Sequence, residues 1–329
     1  GYWQAKLLLK SGRNDEARQV LTPLSHRTLD YYGLRARDLL NGVSPESAVA
    51  TSLILPDPAQ LAAEQAQAEA WLSKWLGLTG VKNLSALNAR VRGDTAFQRG
   101  DALLKLGLRD DVLAEFETVK ENWWDDPLAL YQLSVYFRDK ELGRLSIITA
   151  GRLIVLSPAG VPEGAPIFIQ RLFYPVYFGD VIQAEAQEYK LDPTLLLALI
   201  RQESLFEPSA RSSVGAQGLM QVMPATGAYI AERGGFDQFD PRQLALPFIN
   251  IKFGAWYINQ QLAMFDNNAF AALAAYNAGP GYVLEWVKNS DDLDIFVETI
   301  PFRESRSYIR NVYVNLTAYR RLYGTKALQ

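Results

Sequence analysis

The sequence predicts an all-α protein in two parts, from three observations. Apolar residues recur at helical spacing along almost the whole chain, and no stretch alternates convincingly as a strand. A run of turn formers, Ser157-Pro158-Ala159-Gly160-Val161-Pro162-Glu163-Gly164-Ala165-Pro166, interrupts the pattern. The 329 residues suffice for about two domains, each with its own core. The boundary is therefore placed at that run, giving a helical-repeat and linker region over 1–165 and a second, mainly helical domain over 166–329.

In the first part, Tyr2-Trp3 through Leu8-Leu9-Lys10-Ser11-Gly12 reads as an apolar helix ending at its glycine, followed by Asp15-Glu16-Ala17. A counterpart lies 95 residues later, where Leu103-Leu104-Lys105-Leu106-Gly107 precedes Asp110-Asp111-Val112. In each, a glycine suits the left-handed position that ends a helix. Paired helices of this kind stack and bury one face against each neighbour, so the reading here is a helical scaffold. Trp71, Trp75, Trp123 and Trp124 are expected mostly in its helix packing. The chain opens inside a helical pattern rather than a secretory leader, and is expected to be a mature or shortened form.

In the second part, Asp180 to Lys190 and Pro193 to Ser204 read as helices, the latter started by the Asp192-Pro193 pair. A third is expected from Ala216 or Gln217 to about Glu232, and a long one from Asp240-Pro241 towards Phe265. Ala269 to Tyr276 is a short apolar helix stopped by Asn277-Ala278-Gly279-Pro280-Gly281, read as a stop and turn. Glu304 to Tyr323 completes the chain as an amphipathic helix.

Composition narrows the chemistry. Half the residues are hydrophobic (49%) and 21% are charged, as in an ordinary globular protein. The net charge is -3 and neither half is basic, which argues against nucleic acid or an anionic membrane surface as partner. No run reaches the roughly 18 apolar residues that a membrane-spanning helix needs. There is no cysteine, so thiol nucleophiles, thiolate metal sites and disulfides are excluded. His26 is the only histidine, which excludes a histidine-dependent triad or a multi-histidine zinc site within the chain. Any reaction must run mainly on carboxylates, hydroxyls and amides.

Glu203 is the first candidate. It stands in Arg201-Gln202-Glu203-Ser204-Leu205-Phe206, where the apolar run Leu195 to Ile200 ends. A helix C-terminus carries partial negative charge and disfavours an acidic side chain. Burial against Leu199, Phe206 or Met220 adds a desolvation penalty to the ionised form. Both raise a carboxyl pKa, as a general acid requires.

Five segments then line up: Glu203-Ser204, Gly218-Leu219-Met220-Gln221, Met223-Pro224-Ala225-Thr226, Ala275-Tyr276-Asn277-Ala278-Gly279, and Glu298 to Tyr308. In this order and spacing, residues from about 170 to 323 resemble the family 1 lytic transglycosylases, the soluble murein transglycosylases of bacterial envelopes. Leu246-Pro247, Asn250-Ile251, Gly254 and Tyr257 are similar to that family's intervening helix, and the first half resembles its helical superhelix far less specifically. Gly227 stands where the family usually has Ala, and Ser305 where Thr is common.

The resemblance implies a lysozyme-like catalytic domain. It would cleave the β-1,4 bond between N-acetylmuramic acid and N-acetylglucosamine with Glu203 as the lone acid/base, forming a 1,6-anhydro product. It implies substrate contacts from Ser212, Met220, Gln221 and Tyr276, and from Glu298 a role in binding substrate or ordering the cleft. It also implies peptidoglycan glycan strands as partner, and leaves the helical half as the place where other cell-wall enzymes would bind. The compartment would be the periplasm or cell exterior. No motif requires a metal or an organic cofactor.

Each residue also has a plain structural reading. Ser212 can cap a loop, Met220 can fill the core, Gln221 can face solvent and Tyr276 can be a core aromatic. Glu298 and Glu304 can pair with Arg303, Arg306 or Arg310, more so Glu304. Of other acids, Glu207 is expected to face solvent, and Glu232, Asp237 and Asp240 lie in a polar connection. Two alternatives stay open: a hydrolytic muramidase on the same fold, and an envelope scaffold with a dead site.

Overall fold

The computed structural model describes residues 1–45, 51–80, 83–236 and 238–324, so Asp237 lies outside the described residues. Among them there are eighteen α-helices and no strand beyond isolated bridges. The first nine are α1 (Tyr2–Lys10), α2 (Asn14–Leu24), α3 (Tyr31–Asn41), α4 (Pro58–Leu76), α5 (Ala89–Gly93), α6 (Thr95–Lys105), α7 (Arg109–Asn122), α8 (Pro127–Asp139) and α9 (Gly143–Leu156). After α10 (Ile167–Phe173) come α11 (Gly179–Tyr189), α12 (Pro193–Ser204), α13 (Pro224–Gly234) and α14 (Pro247–Met264). The last four are α15 (Ala269–Ala278), α16 (Pro280–Trp286), α17 (Leu293–Thr299) and α18 (Arg303–Tyr323). The fold is all-α, as expected.

The contacts fall differently from the expected division at 165/166. One compact unit comprises Gly1–Ile54, Phe178–Ser204 and Ala210–Gln329, and the other Leu55–Tyr177 with Leu205–Ser209. The turn-rich run is no loose linker. Ser157, Pro162 and Ala165 are buried, and Ala165 joins a core with Phe168, Ile169 and Leu172 of α10. Trp71 and Trp75, 5.4 Å apart, pack on that same core. The apolar faces of α4, α8, α9 and α10 thus carry the chain beyond the sequence-drawn boundary.

The helix-pair repeat has a third copy. Gly12 and Gly107 both have φ +74°, and Glu141 takes the same left-handed conformation at φ +56° between α8 and α9. The next amide closes each turn onto the carbonyl five residues back: Arg13 on Leu8 (2.9 Å), Leu108 on Leu103 (3.2 Å), and Leu142 on Phe137 (2.9 Å). A glutamate in the position that favours glycine hid this copy from sequence reading.

The first 45 residues are tied to α17, within the same unit, through a buried charge. Asp294 of α17, 1% exposed, accepts hydrogen bonds from the Tyr2 (2.7 Å) and Tyr31 (3.0 Å) hydroxyls, Lys6 Nζ (2.8 Å) and Arg35 Nε (2.9 Å). Burial alone would raise its pKa, but the Arg35 guanidinium, with Lys6 and Tyr2, outweighs that and holds it at about 2. A buried carboxylate is tolerable only when so many donors surround it. Tyr31, Phe270 and Tyr313 pack their rings together beside it, with centroids 5.5–6.1 Å apart.

Candidate active site

The central helix of the first unit is α12. Leu196, Leu197, Leu199 and Ile200 are fully buried, so the helix is apolar around its circumference. Burying such side chains stabilises by roughly 1.5–3 kcal/mol each, enough to fix the position of whatever the helix carries at its end. Asp192 starts it, accepting from the Thr194 amide (2.8 Å) and hydroxyl (2.5 Å), as the Asp192-Pro193 pair predicted. Asp192 also accepts from Arg320 Nε of α18 at 2.8 Å. At the opposite end of α12, Glu203 Oε1 accepts the Tyr308 hydroxyl of α18 at 2.5 Å. The two helices therefore run antiparallel, tied at both ends.

Glu203 is partly buried, and its pKa rises to about 7. Burial is the largest cause, the Glu304 carboxylate adds to it, and the Tyr308 hydrogen bond opposes both. The two residues after the helix, Leu205 (φ +51°) and Phe206 (φ +63°), are left-handed without being glycine, an arrangement that needs support from its surroundings. Phe206 has it: its side chain is 1% exposed, with the Tyr177 ring at 5.6 Å.

Beside Glu203 runs the loop 210–223. The helix expected from Ala216 or Gln217 begins only at Pro224, because this stretch folds into two bridges, Arg211 with Gln217 and Gln217 with Val222. Asn250 of α14, fully buried, fixes it. Its Oδ1 accepts the Met220 amide (2.7 Å), and its Nδ2 reaches the carbonyls of Gln217 and Leu244 (both 2.8 Å). Gly218 must be glycine: φ is +78°, and a Cβ would lie 2.4 Å from Asn250 Nδ2. The Ser204 hydroxyl donates to the Leu219 carbonyl at 2.8 Å, which closes the loop onto α12.

The expected site residues divide. Met220 is fully buried, and a Cβ on Gly254 would lie 2.3 Å from its sulfur, so its side chain fills the core rather than lining a cleft. The exposed methionine of the segment is Met223 (37%). Ser212 is partly exposed and caps its loop by accepting the Ala216 amide at 2.9 Å. Gln221 is partly buried, left-handed at φ +48°, and donates to the carbonyls of Gly218 (2.8 Å) and Ala210 (3.2 Å). Tyr276 donates its proton to the Met220 carbonyl at 2.9 Å, so the phenol that donates to Glu203 is Tyr308.

The acids on the last two helices exchange their expected fates. Glu298 is the paired one, bound by Arg310 and by the Tyr32 hydroxyl (2.5 Å). Glu304 is exposed, has no ion pair among the described residues, and acts on Glu203 through its charge. Its spacing from Tyr308, one helical turn, was the available signal that both face Glu203. Glu207, expected in solvent, is buried, accepts from the Ser209 hydroxyl (3.0 Å) and meets Arg109 Nε at 3.5 Å. The expected long helix from Asp240 is a 3₁₀ turn, Pro241–Ala245, capped by Asp240, followed by α14. Gly279 stops α15 as expected, while Pro280 and Gly281 already belong to α16.

Known proteins match this arrangement. Residues 180–298 fit the model of the transglycosylase SLT domain. A soluble lytic murein transglycosylase from Salmonella typhimurium is 30% identical over 331 residues, covering 99% of this chain and 44% of that protein. The crystal structure of the 70 kDa soluble lytic transglycosylase from Escherichia coli superposes with a TM-score of 0.71 at 25% identity, covering 97% of this chain and 45% of that one. An inactive Glu-to-Gln mutant of the lytic transglycosylase Slt from Pseudomonas aeruginosa gives a TM-score of 0.62 at 26% identity, over 97% of this chain and 51% of that one. The chain thus spans about half the length of these proteins or less. Residues 180–298 thus carry a match to the transglycosylase SLT domain, and the chain is similar over nearly its whole length to soluble lytic murein transglycosylases, with an all-α, lysozyme-like fold.

Proposed function

We propose that this chain is a peptidoglycan lytic transglycosylase, acting in the periplasm or at the cell exterior on glycan strands, with Glu203 as its single acid/base. One observation carries the reading. A carboxyl whose pKa is raised to about 7, held in a fixed direction by Tyr308, can both give and take a proton near neutral pH. The relatives, named as lytic murein transglycosylases, supply the substrate class.

In the first step, protonated Glu203 donates to the glycosidic oxygen, which leaves with the electron pair of its bond to C1. The substrate's 2-acetamido oxygen bonds to C1 in its place, as in substrate-assisted glycosidases. Ionised Glu203, stabilised by the Tyr308 hydroxyl, then takes the proton of the C6 hydroxyl. The C6 oxygen attacks C1, expels the acetamido oxygen and closes the 1,6-anhydro ring. No water is consumed, and Glu203 ends protonated. In this reading Ser212, Gln221 and Tyr276 are assigned the substrate contacts. Met220 contributes through its backbone, and Glu298 orders α18 through Arg310.

A second reading rests on Glu304. It is an acidic side chain acting on Glu203, and a hydrolytic muramidase of the two-carboxylate kind requires such a partner. The product distinguishes the two, because hydrolysis leaves a reducing end. The acid itself is tested by Glu203→Gln: it should abolish turnover of purified peptidoglycan and keep glycan binding. Near-full activity in that variant removes the proposed acid, and a wild-type chain with no turnover leaves the scaffold reading.

A further inference from the structure

Beside the Glu203 centre lies a cavity of about 340 Å³ that the reaction above does not use. It is formed by Thr226 and Tyr229 of α13, Tyr257 and Gln261 of α14, and Pro280 at the start of α16. None of its lining side chains is charged. The volume is at the low end for small-molecule sites, enough for one compact group rather than a long chain.

Two features set its chemistry. Tyr229 is 45% exposed, with its ring edge-on to Trp256 at 6.0 Å, and so offers a fixed aromatic face. Gln261 is 3% exposed, and its Oε1 has no hydrogen-bond partner among the described residues. A buried amide oxygen without a donor bears its desolvation cost with nothing in return, and such groups call for an explanation. Gln261 follows Tyr257 by one helical turn, so the amide and the phenol face the same side.

The cavity is one aromatic layer from the reacting centre. The Tyr257 ring meets that of Tyr276 edge-on at 5.4 Å, and Tyr276 is bonded to the Met220 carbonyl of the loop beside Glu203. The charge of Glu203 in turn acts on the Tyr276 phenol.

We propose that this cavity is a substrate subsite for an uncharged secondary amide, with Gln261 as its hydrogen-bonding partner and Tyr229 as its flanking face. A secondary amide carries both N–H and C=O, so it complements Gln261 whichever end of the side chain turns toward the cavity. The absence of charge excludes a carboxylate or ammonium as the main recognition element. The proposal rests on the peptidoglycan reading, in which two sources offer this group: the N-acetyl substituents of the glycan and the amides of the peptide stem.

The test measures binding by calorimetry to the 329-residue chain carrying Glu203→Gln, so that no probe is consumed. Three probes are used: an N-acetylated chitooligosaccharide, its de-N-acetylated counterpart, and a free stem peptide. Adding Gln261→Leu is expected to weaken the acetylated sugar by about 5–10-fold, the worth of one hydrogen bond, and to leave the de-N-acetylated sugar unchanged. Tyr229→Ala, a change at an exposed ring, should weaken the same probe and guards against a folding defect in the first variant. A loss confined to the stem peptide would support the subsite and assign the amide to the peptide. Unchanged affinity for all three probes in both variants, or no binding of any probe to the parent, overturns it. The function itself is judged apart from this, by turnover in the chain with Glu203 intact.

Discussion

Tyr308 donates its hydroxyl proton to Glu203 across 2.5 Å, from a helix that runs antiparallel to the one carrying the acid. This bond favours the ionised carboxyl, whereas burial and Glu304 favour the protonated one. The balance of the three sets when Glu203 can act, and each can be removed separately.

Tyr308→Phe removes the one interaction that lowers the Glu203 pKa. The alkaline limb of kcat/KM, expected near pH 7 in the parent, should move to higher pH. The maximal rate should fall roughly tenfold or more, since a hydrogen bond to a charged group is worth about 1.5–3 kcal/mol. A pH–rate profile checks both, and an unmoved limb would mean the bond does not form in the active enzyme.

Glu304→Gln should move the same limb the other way. Removing a like charge lets Glu203 ionise more easily, so activity is lost at a lower pH than in the parent. The opposite directions of these two shifts are the test, read from the same profile. A complete loss of turnover with no displaced limb would instead favour Glu304 as a second reacting carboxylate.

The raised pKa also predicts a stability difference. A carboxyl at about 7 when folded and near 4.5 when unfolded favours the fold fully below pH 4.5, and that contribution is lost as pH rises through 7. Glu203→Gln should therefore match the parent at pH 4 and exceed it at pH 8 by on the order of 3 kcal/mol. Urea unfolding at both values measures this, and equal stabilities at pH 8 would rule out the shift.

Gly218→Ala should damage the site from outside it. The new Cβ would meet Asn250 Nδ2 at 2.4 Å and the Leu244 carbonyl at 2.5 Å, at a φ of +78°. Left-handed strain and overpacking together cost about 3 kcal/mol. Thermal unfolding should show it, with a loss of activity in the folded fraction as the 217–221 loop shifts.

Helix ends marked by proline, aspartate or glycine were legible in the sequence. Pro193 to Ser204 falls on α12 residue for residue, and the last helix starts one residue from its expected place. The loop 210–223 was not legible, because Ala216 to Val222 is apolar at helical spacing yet is pulled into bridges by Asn250, through contacts across 30 and 33 residues. The grouping of residues 1–45 with α17 was not legible for the same kind of reason. A turn-rich run marks where the chain bends, whereas the Asp294 cluster, which joins residues 1–45 to α17, depends on partners far apart in sequence. Within the site, Glu203 was legible from its helix end. Tyr308 and Glu304 were present in a recognised segment, but their partner lies about a hundred residues away, and only the packing of α12 on α18 reveals it. Spacing could not tell Met220 from Met223, since the inward one is chosen by Gly254 on another helix.

The most direct test of a single carboxyl acting without water is the mass of what the chain releases from purified peptidoglycan. Mass spectrometry should find muropeptides ending in the 1,6-anhydro ring, lighter by one water than the hydrolysed form, and none after Glu203→Gln. Muropeptides with reducing ends as the main product would contradict the account.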